Sequence, residues 1–207
     1  MVTFYYSPGS CALASHIALE DAGAEYAAVR VSFADNEQRG AAYLAINPKA
    51  RVPALATDRG TITENPAILA YIAQSWPAAG LAPLDDPFAF AQVQAFNAYL
   101  CATVHVAHAH KGRGYRWADD AAAIAEMRRK VPETVGACFD LIEREMFGGR
   151  WVMGDAYTIC DPYLFTLAGW LQGDSVDISR FPKVADHWRR MSERPAVRAA
   201  IARQQQS

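Results

Sequence analysis

Among the 4 cysteines and 5 histidines that could carry chemistry in this chain, Cys11 stands apart by its surroundings. It follows Ser7-Pro8-Gly9-Ser10 and precedes a run in which Leu13, Ile17 and Ala18 recur at helical spacing. Thr3 to Tyr6 ahead of the turn is β-branched and aromatic, which suits a pleated strand, and Ser7-Pro8-Gly9 carries the turn chemistry that stops it. The pattern predicts strand, tight turn and helix, with Ser10 as N-cap and Gly23 as the left-handed cap past Ala22. Cys11 then falls in the first helical turn, where unpaired amides and the positive end of the helix dipole favour an anion. It is the anion, or it binds one, or it is a small buried filler.

A second cluster lies between Val104 and Trp117. His105 and His108 share one helix face while His110 points elsewhere. With no acidic residue nearby in sequence they make a poor metal ligand set, so pocket-lining histidines and no metal are expected. Lys111, Arg113 and Arg116 either attract an anionic cosubstrate or cap the C-terminal end of the helix, where cations are favoured. Tyr115 and Trp117 are pocket wall or interhelical core. A structural signal sits at Gly154 to Pro162: Thr158 can cap a helix and Asp161 can reach back to the Thr158 amide, with Tyr157 completing a hydrophobic staple.

The elements that must position these groups follow from periodicity. Glu25 to Ser32 reads as a second strand, parallel to the first through the helical crossover. Asp35 to Ile46 favours a short helix ended by Asn47-Pro48. Lys49 to Thr63 reads as a hairpin turning at Asp58-Arg59-Gly60, with Pro53 awkward in a strand unless Val52-Pro53 is cis and turns the chain. Glu64-Asn65-Pro66 opens another helix, giving βαβαββα. Trp76 to Pro83 breaks the pattern, and Asp85-Asp86-Pro87 restarts it as helix nearly throughout, to about Ala109, from Asp119 to Met146, and from Thr158, Pro182 and Pro195. This divides the chain into an α/β domain, residues 1–80, and an all-α domain, residues 87–207; the terminal Gln204-Gln205-Gln206-Ser207 is expected to fray.

A formal charge of −2 argues against a general polyanion binder, so no nucleic-acid partner is expected. No apolar run reaches the roughly 20 residues that span a bilayer, and the N-terminus lacks a basic segment followed by an apolar core. Cys11, Cys101, Cys138 and Cys160 are scattered without metal-like spacing. An unprocessed, soluble, cytoplasmic protein with no membrane partner is expected.

These motifs, in this order, resemble the cytosolic glutathione transferases. Ser7-Pro8-Gly9-Ser10-Cys11 with a helix behind it is similar to the cysteine-containing bacterial, beta-class-like members, and Asn47-Pro48 followed by Val52-Pro53 is similar to the segment carrying the family's cis-proline. Glu64-Asn65 matches the pair that holds the γ-glutamyl end of glutathione, and Gly154 to Asp161 matches the family's capping motif. The chain departs from the beta-class pattern at Ala12 and Asn65, where serines are usual, and at Val106, where a lysine is expected beside the active-site histidine. The resemblance implies a thioredoxin-like N-terminal domain, a helical bundle lining an electrophile pocket, a homodimer, and glutathione as cosubstrate. By position, Val52 beside Pro53 would pair with the cysteinyl backbone, Glu64 and Asn65 would take the γ-glutamyl group, Arg51 or Lys49 the glycyl carboxylate, and His105 and His108 would border the second substrate. Solvated loop charges and a helix cap are the plainer readings of Lys49, Arg51, Glu64 and Asn65.

Conjugation needs the thiolate, and a thiol of pKa about 8.5 is only about 3% ionised at pH 7. Lowering it by about two units requires about 2.7 kcal/mol. A helix dipole typically gives about 0.3–1 kcal/mol, so a direct donor must supply the rest. Cys11 is expected to be the main thiol contact, Ser10 the second, and Tyr6, by family position, a nearby contributor. The leading expectation is therefore transfer of glutathione to small hydrophobic electrophiles, as in detoxification. The alternatives are glutathione-dependent disulfide or peroxide reduction at Cys11 and a non-catalytic binding protein on the same fold.

Overall fold

The structure, a computed structural model, describes residues 2–206. Strand β1 (Val2–Tyr6) leads through the Ser7–Cys11 turn into α1 (Ala12–Asp21) and back to β2 (Tyr26–Arg30). The helical crossover makes β1 and β2 parallel, with Phe4 opposite Ala28. α1 stops as expected: Gly23 takes a φ of 61°, Ala24 N–H bonds Leu19 C=O at 3.1 Å and Gly23 N–H bonds Glu20 C=O at 3.1 Å, the pair of bonds of a Schellman motif.

The expected helix over 35–46 is broken. Gly40 is extended (φ −70°, ψ 150°), separating a 3-10 turn, Glu37–Arg39, from the single turn α2 (Ala41–Leu44). Strands β3 (Ala54–Thr57) and β4 (Gly60–Thr63) form the expected hairpin across Asp58-Arg59, and β3 pairs antiparallel with β1. The sheet order is β2-β1-β3-β4. Helix α3 (Asn65–Ser75) follows, with Pro66 in its first turn.

Beyond residue 86 the described elements are helical. α4 (Pro87–Tyr99) is capped by Asp86, whose carboxylate accepts from the Phe88 and Ala89 amides at 3.0 Å. A π turn, Leu100–Val104, joins it to α5 (His105–Arg113). α6 (Ala121–Leu141), α7 (Cys160–Ala168), α8 (Pro182–Glu193) and α9 (Pro195–Gln206) complete the chain.

α1 is buried on nearly all sides, because the sheet and α3 cover part of it and α7 and α9 the rest. The C-terminal segment corrects the expectation of fraying. Val197, Ala200 and Gln204 recur at helical spacing and are buried, and the Gln204 amide lies 3.2 Å from His16 Nδ1 of α1. Ser207 lies outside the described residues. None of the described helices is long and apolar enough to cross a membrane.

Candidate active site

The turn before α1, the segment Asn47–Pro53, the β4–α3 junction and the facing sides of α5 and α7 enclose a cleft of about 470 Å³. Ser10, Cys11, Arg51, Val52, Pro53, Glu64, Asn65, His105 and His108 border it, so most of the residues singled out from sequence converge.

Cys11, not Ser10, is the N-cap of α1, so the helix starts one residue later than expected. Its Sγ lies 3.7 Å from the Val52 carbonyl, across the cis Val52–Pro53 bond's side of the cleft. Burial pushes the thiol up to about 12, against the opposing pull of Arg113. At neutral pH it is therefore an S–H donor and not a thiolate. Of the two chemical readings of Cys11, the raised thiol favours binding an anion over being one.

Ser10 also borders the cleft, but its single hydroxyl proton goes to Ser7 C=O at 2.6 Å, and its oxygen accepts from the Ala12 amide at 3.3 Å. It holds the turn; in this arrangement it has no proton left for a sulfur. Tyr6 is elsewhere. The strand alternation sends Phe4 and Tyr6 together to the α1–α9 face, where both are fully buried against His16, and the Tyr6 hydroxyl points at Arg203 C=O, 3.5 Å away. Tyr5, on the other face, packs edge-on against Tyr43.

The loop that carries Val52 is clamped from within. Buried Asn47 donates to Arg51 C=O at 2.6 Å and accepts from the Lys49 amide at 3.1 Å, while Tyr43 also donates to Arg51 C=O, at 2.7 Å. Lys49 turns away from the cleft to pair with Glu64 at 2.6 Å and Thr63 Oγ1 at 2.7 Å, leaving Arg51 as the cation of this loop that faces inward. Glu64 sits at φ 73°, a conformation that is costly for a non-glycine residue and is held by the β4–α3 junction. Asn65 does not cap α3. Its Nδ2 donates to Cys11 C=O at 2.7 Å and its Oδ1 accepts from Ser15 at 2.6 Å, so it ties α3 to the start of α1 directly beneath the thiol.

On the helical side, His105 Nε2 lies 3.3 Å from the Arg113 guanidinium. Burial, then the charge of Arg113, lowers His105 to about 3, so it is neutral and accepts this bond. Arg113, weighed above as a helix cap, borders the cleft instead, and its Nε is buried without a partner. Tyr115 and Trp117 are exposed wall residues, not core. His108 does have an acidic neighbour, Asp174, at 2.7 Å. Trp170 and Tyr163 are members of this wall that sequence reasoning missed, as is buried Asp174 behind His108; Trp170 Nε1 donates to Gly9 C=O at 3.2 Å and so fastens the segment after α7 to the turn before the thiol. Among the described residues no group of His, Cys, Asp and Glu side chains could hold a metal ion.

Arg39, Arg51, Arg113 and Arg116 face the cleft against Glu64 alone, which makes it cationic in a chain of net charge −2. A parallel–antiparallel sheet of this order, a cis-proline loop opposite a cysteine at the start of a helix, and a helical wall define a thioredoxin-like thiol-binding site closed by a helical partner. Family models agree: the glutathione S-transferase N-terminal domain matches residues 1–74 and the C-terminal domain residues 105–195. The chain belongs to the glutathione S-transferase family. It is 31% identical to the glutathione S-transferase GstA of Escherichia coli O157:H7, over 96% of each chain. A glutathione transferase homologue from sulfitobacter, solved with bound glutathione, superposes at a TM-score of 0.95 with 44% identity over 98% of both chains. The sphingomonad glutathione S-transferase complexed with glutathione gives 0.87 and 32% over 99% of this chain and 100% of that one.

Proposed function

We propose that this protein binds glutathione in the cleft and transfers its thiolate to small hydrophobic electrophiles, with the neutral Cys11 S–H turning from its long bond to the Val52 carbonyl, 3.7 Å, to donate to the sulfur. The observation that carries this reading is the convergence of Cys11, the cis Val52–Pro53 segment, Glu64 and Asn65 on one cleft lined by arginines. In this reading the Val52 backbone beside Pro53 pairs with the cysteinyl unit, Arg51 meets the glycyl carboxylate, and Glu64 and Asn65 receive the γ-glutamyl end. Ser10 shapes the turn. His105, His108, Tyr115 and Trp117 border the electrophile. The division into residues 1–80 and 87–207, a homodimer, a cytoplasmic location and a role in detoxification belong to the same proposal and rest on family membership.

Reduction at Cys11 is the weaker reading, because a thiol pushed up to about 12 supplies little nucleophile at neutral pH. The test is glutathione-dependent turnover of dinitrochlorobenzene beside a glutathione mixed disulfide, in wild type and Cys11→Ala. Loss of a hydrogen bond to a charged sulfur, about 1.5–3 kcal/mol, predicts that conjugation falls between about tenfold and about hundredfold but survives. Disulfide reduction exceeding conjugation in wild type, and abolished by the substitution, would move the protein into the redox class. Sedimentation of the same preparation as a monomer would remove the dimer.

A further inference from the structure

His108, on the wall of the cleft, and Asp174 form a dyad. Asp174 is almost fully buried, and its Oδ2 lies 2.7 Å from His108 Nδ1. A carboxylate only accepts, so Nδ1 carries a proton and Nε2 is the nitrogen left to exchange one. The ring is held flat against Trp170, centroids 4.3 Å apart, and Trp170 is in turn bonded to Gly9 C=O. His108 itself borders the cleft. A positioned imidazole with an orienting carboxylate, on a substrate cleft, has the elements of general acid–base catalysis.

We propose that His108 moves a proton for electrophiles whose reaction requires one, with activated alkenes conjugated to a carbonyl as the substrate class and Asp174 as its positioning residue. The inference rests on the transfer reading above. The thiol proton of glutathione is taken up at Nε2 through water in the cleft. The thiolate electron pair then forms the S–C bond to the β-carbon, the alkene pair shifts to give an enolate, and Nε2–H returns the proton to it. The sum is addition of S–H across the double bond, with His108 restored. Displacement of chloride from an aromatic ring needs no such returned proton, because the halide carries the electron pair away. The other charged or titratable groups around His108 are His105, Lys111 and Arg113 of its own helix, with Lys111 Nζ 3.8 Å from Asp174 Oδ1, and Arg128 of α6 bonded to Lys111 C=O.

The experiment compares wild type, His108→Gln and Asp174→Asn with glutathione and two electrophiles, an aryl enone and dinitrochlorobenzene. The ratio of enone to aryl-chloride kcat is expected to fall about hundredfold in His108→Gln and about tenfold in Asp174→Asn, and the solvent deuterium isotope effect on enone addition to disappear in His108→Gln. A ratio unchanged in His108→Gln overturns the proposal. Wild type inert toward both electrophiles overturns the transfer reading itself, and the role of His108 with it, which is a different result from an unchanged ratio. Nitrogen-15 NMR of the wild-type histidines gives a check that needs no variant: His108 protonated on Nδ1 supports the dyad, and protonated on Nε2 overturns it.

Discussion

His16, on the face of α1 away from the cleft, ties the stability of the fold to pH. It is fully buried among Phe4, Tyr6 and Tyr26, takes one hydrogen bond at Nδ1 from Gln204, and leaves Nε2 without a partner. Burial, with the charge of Arg203 second, lowers it from 6.5 to about 4. Above pH 6.5 it is neutral in both folded and unfolded chains, and between 6.5 and 4 the unfolded chain binds more protons. Stability is therefore present at neutral pH and lost as pH falls through that window, by about 3 kcal/mol at most. His105, also lowered, adds to the loss with the same sign. The urea midpoint of His16→Gln is expected to depend less steeply on pH than that of wild type between pH 6.5 and 4; parallel curves would contradict this. Cys11 was legible from sequence because strand, turn and helix lie in one local run. Tyr6 was not, since alternation says that Tyr5 and Tyr6 face opposite ways but not which face the rest of the chain will cover.

At the scale of elements, the capping box at Thr158–Asp161 was readable and larger than it read. Asp161 Oδ2 accepts from the Thr158 amide at 2.7 Å as expected, while Oδ1 accepts from the Val152 amide and from His187 Nε2, each at 3.0 Å. One fully buried carboxylate thus fixes the start of α7, the loop before it and α8. Tyr157, expected as a staple, lies instead between Trp151 and Arg194 and donates to Asp21 of α1 at 2.5 Å. Replacing Asp161 by alanine removes the acceptor of four buried donors, the Val152 and Thr158 amides, the Thr158 hydroxyl and His187 Nε2, at about 1–3 kcal/mol for each left unpaired. Asp161→Ala is expected to lose more than about 3 kcal/mol by urea denaturation, and a loss under 1 kcal/mol would contradict the network. The helix over 35–46 failed for a local reason that composition hides: Gly40 fits a helical window in sequence but is extended in the chain.

Across the whole molecule, the site is assembled from pieces that no sequence window contains. Asn65 meets Cys11 across 54 positions, Asp174 meets His108 across 66, and Trp170 meets Gly9 across 161. Neither spacing nor periodicity announces such pairings, so the N-terminal half of the cleft was largely legible and its helical wall only in part. The assembled charge is what matters for chemistry. Arginines from both halves line the cleft that holds the raised Cys11 thiol, and on the proposed reading their charge, with the Cys11 S–H, ionises a bound thiol in place of the protein's own. The most direct test is the ultraviolet thiolate band followed against pH, without and with glutathione. The expected result is no band at pH 7 in the free protein, since burial also raises Cys101, Cys138 and Cys160. With glutathione bound, one thiolate per chain is expected, half-formed about two units below the roughly 8.5 of an ordinary thiol. A band already present in the free protein at pH 7, or bound glutathione titrating like the free thiol, would contradict the account.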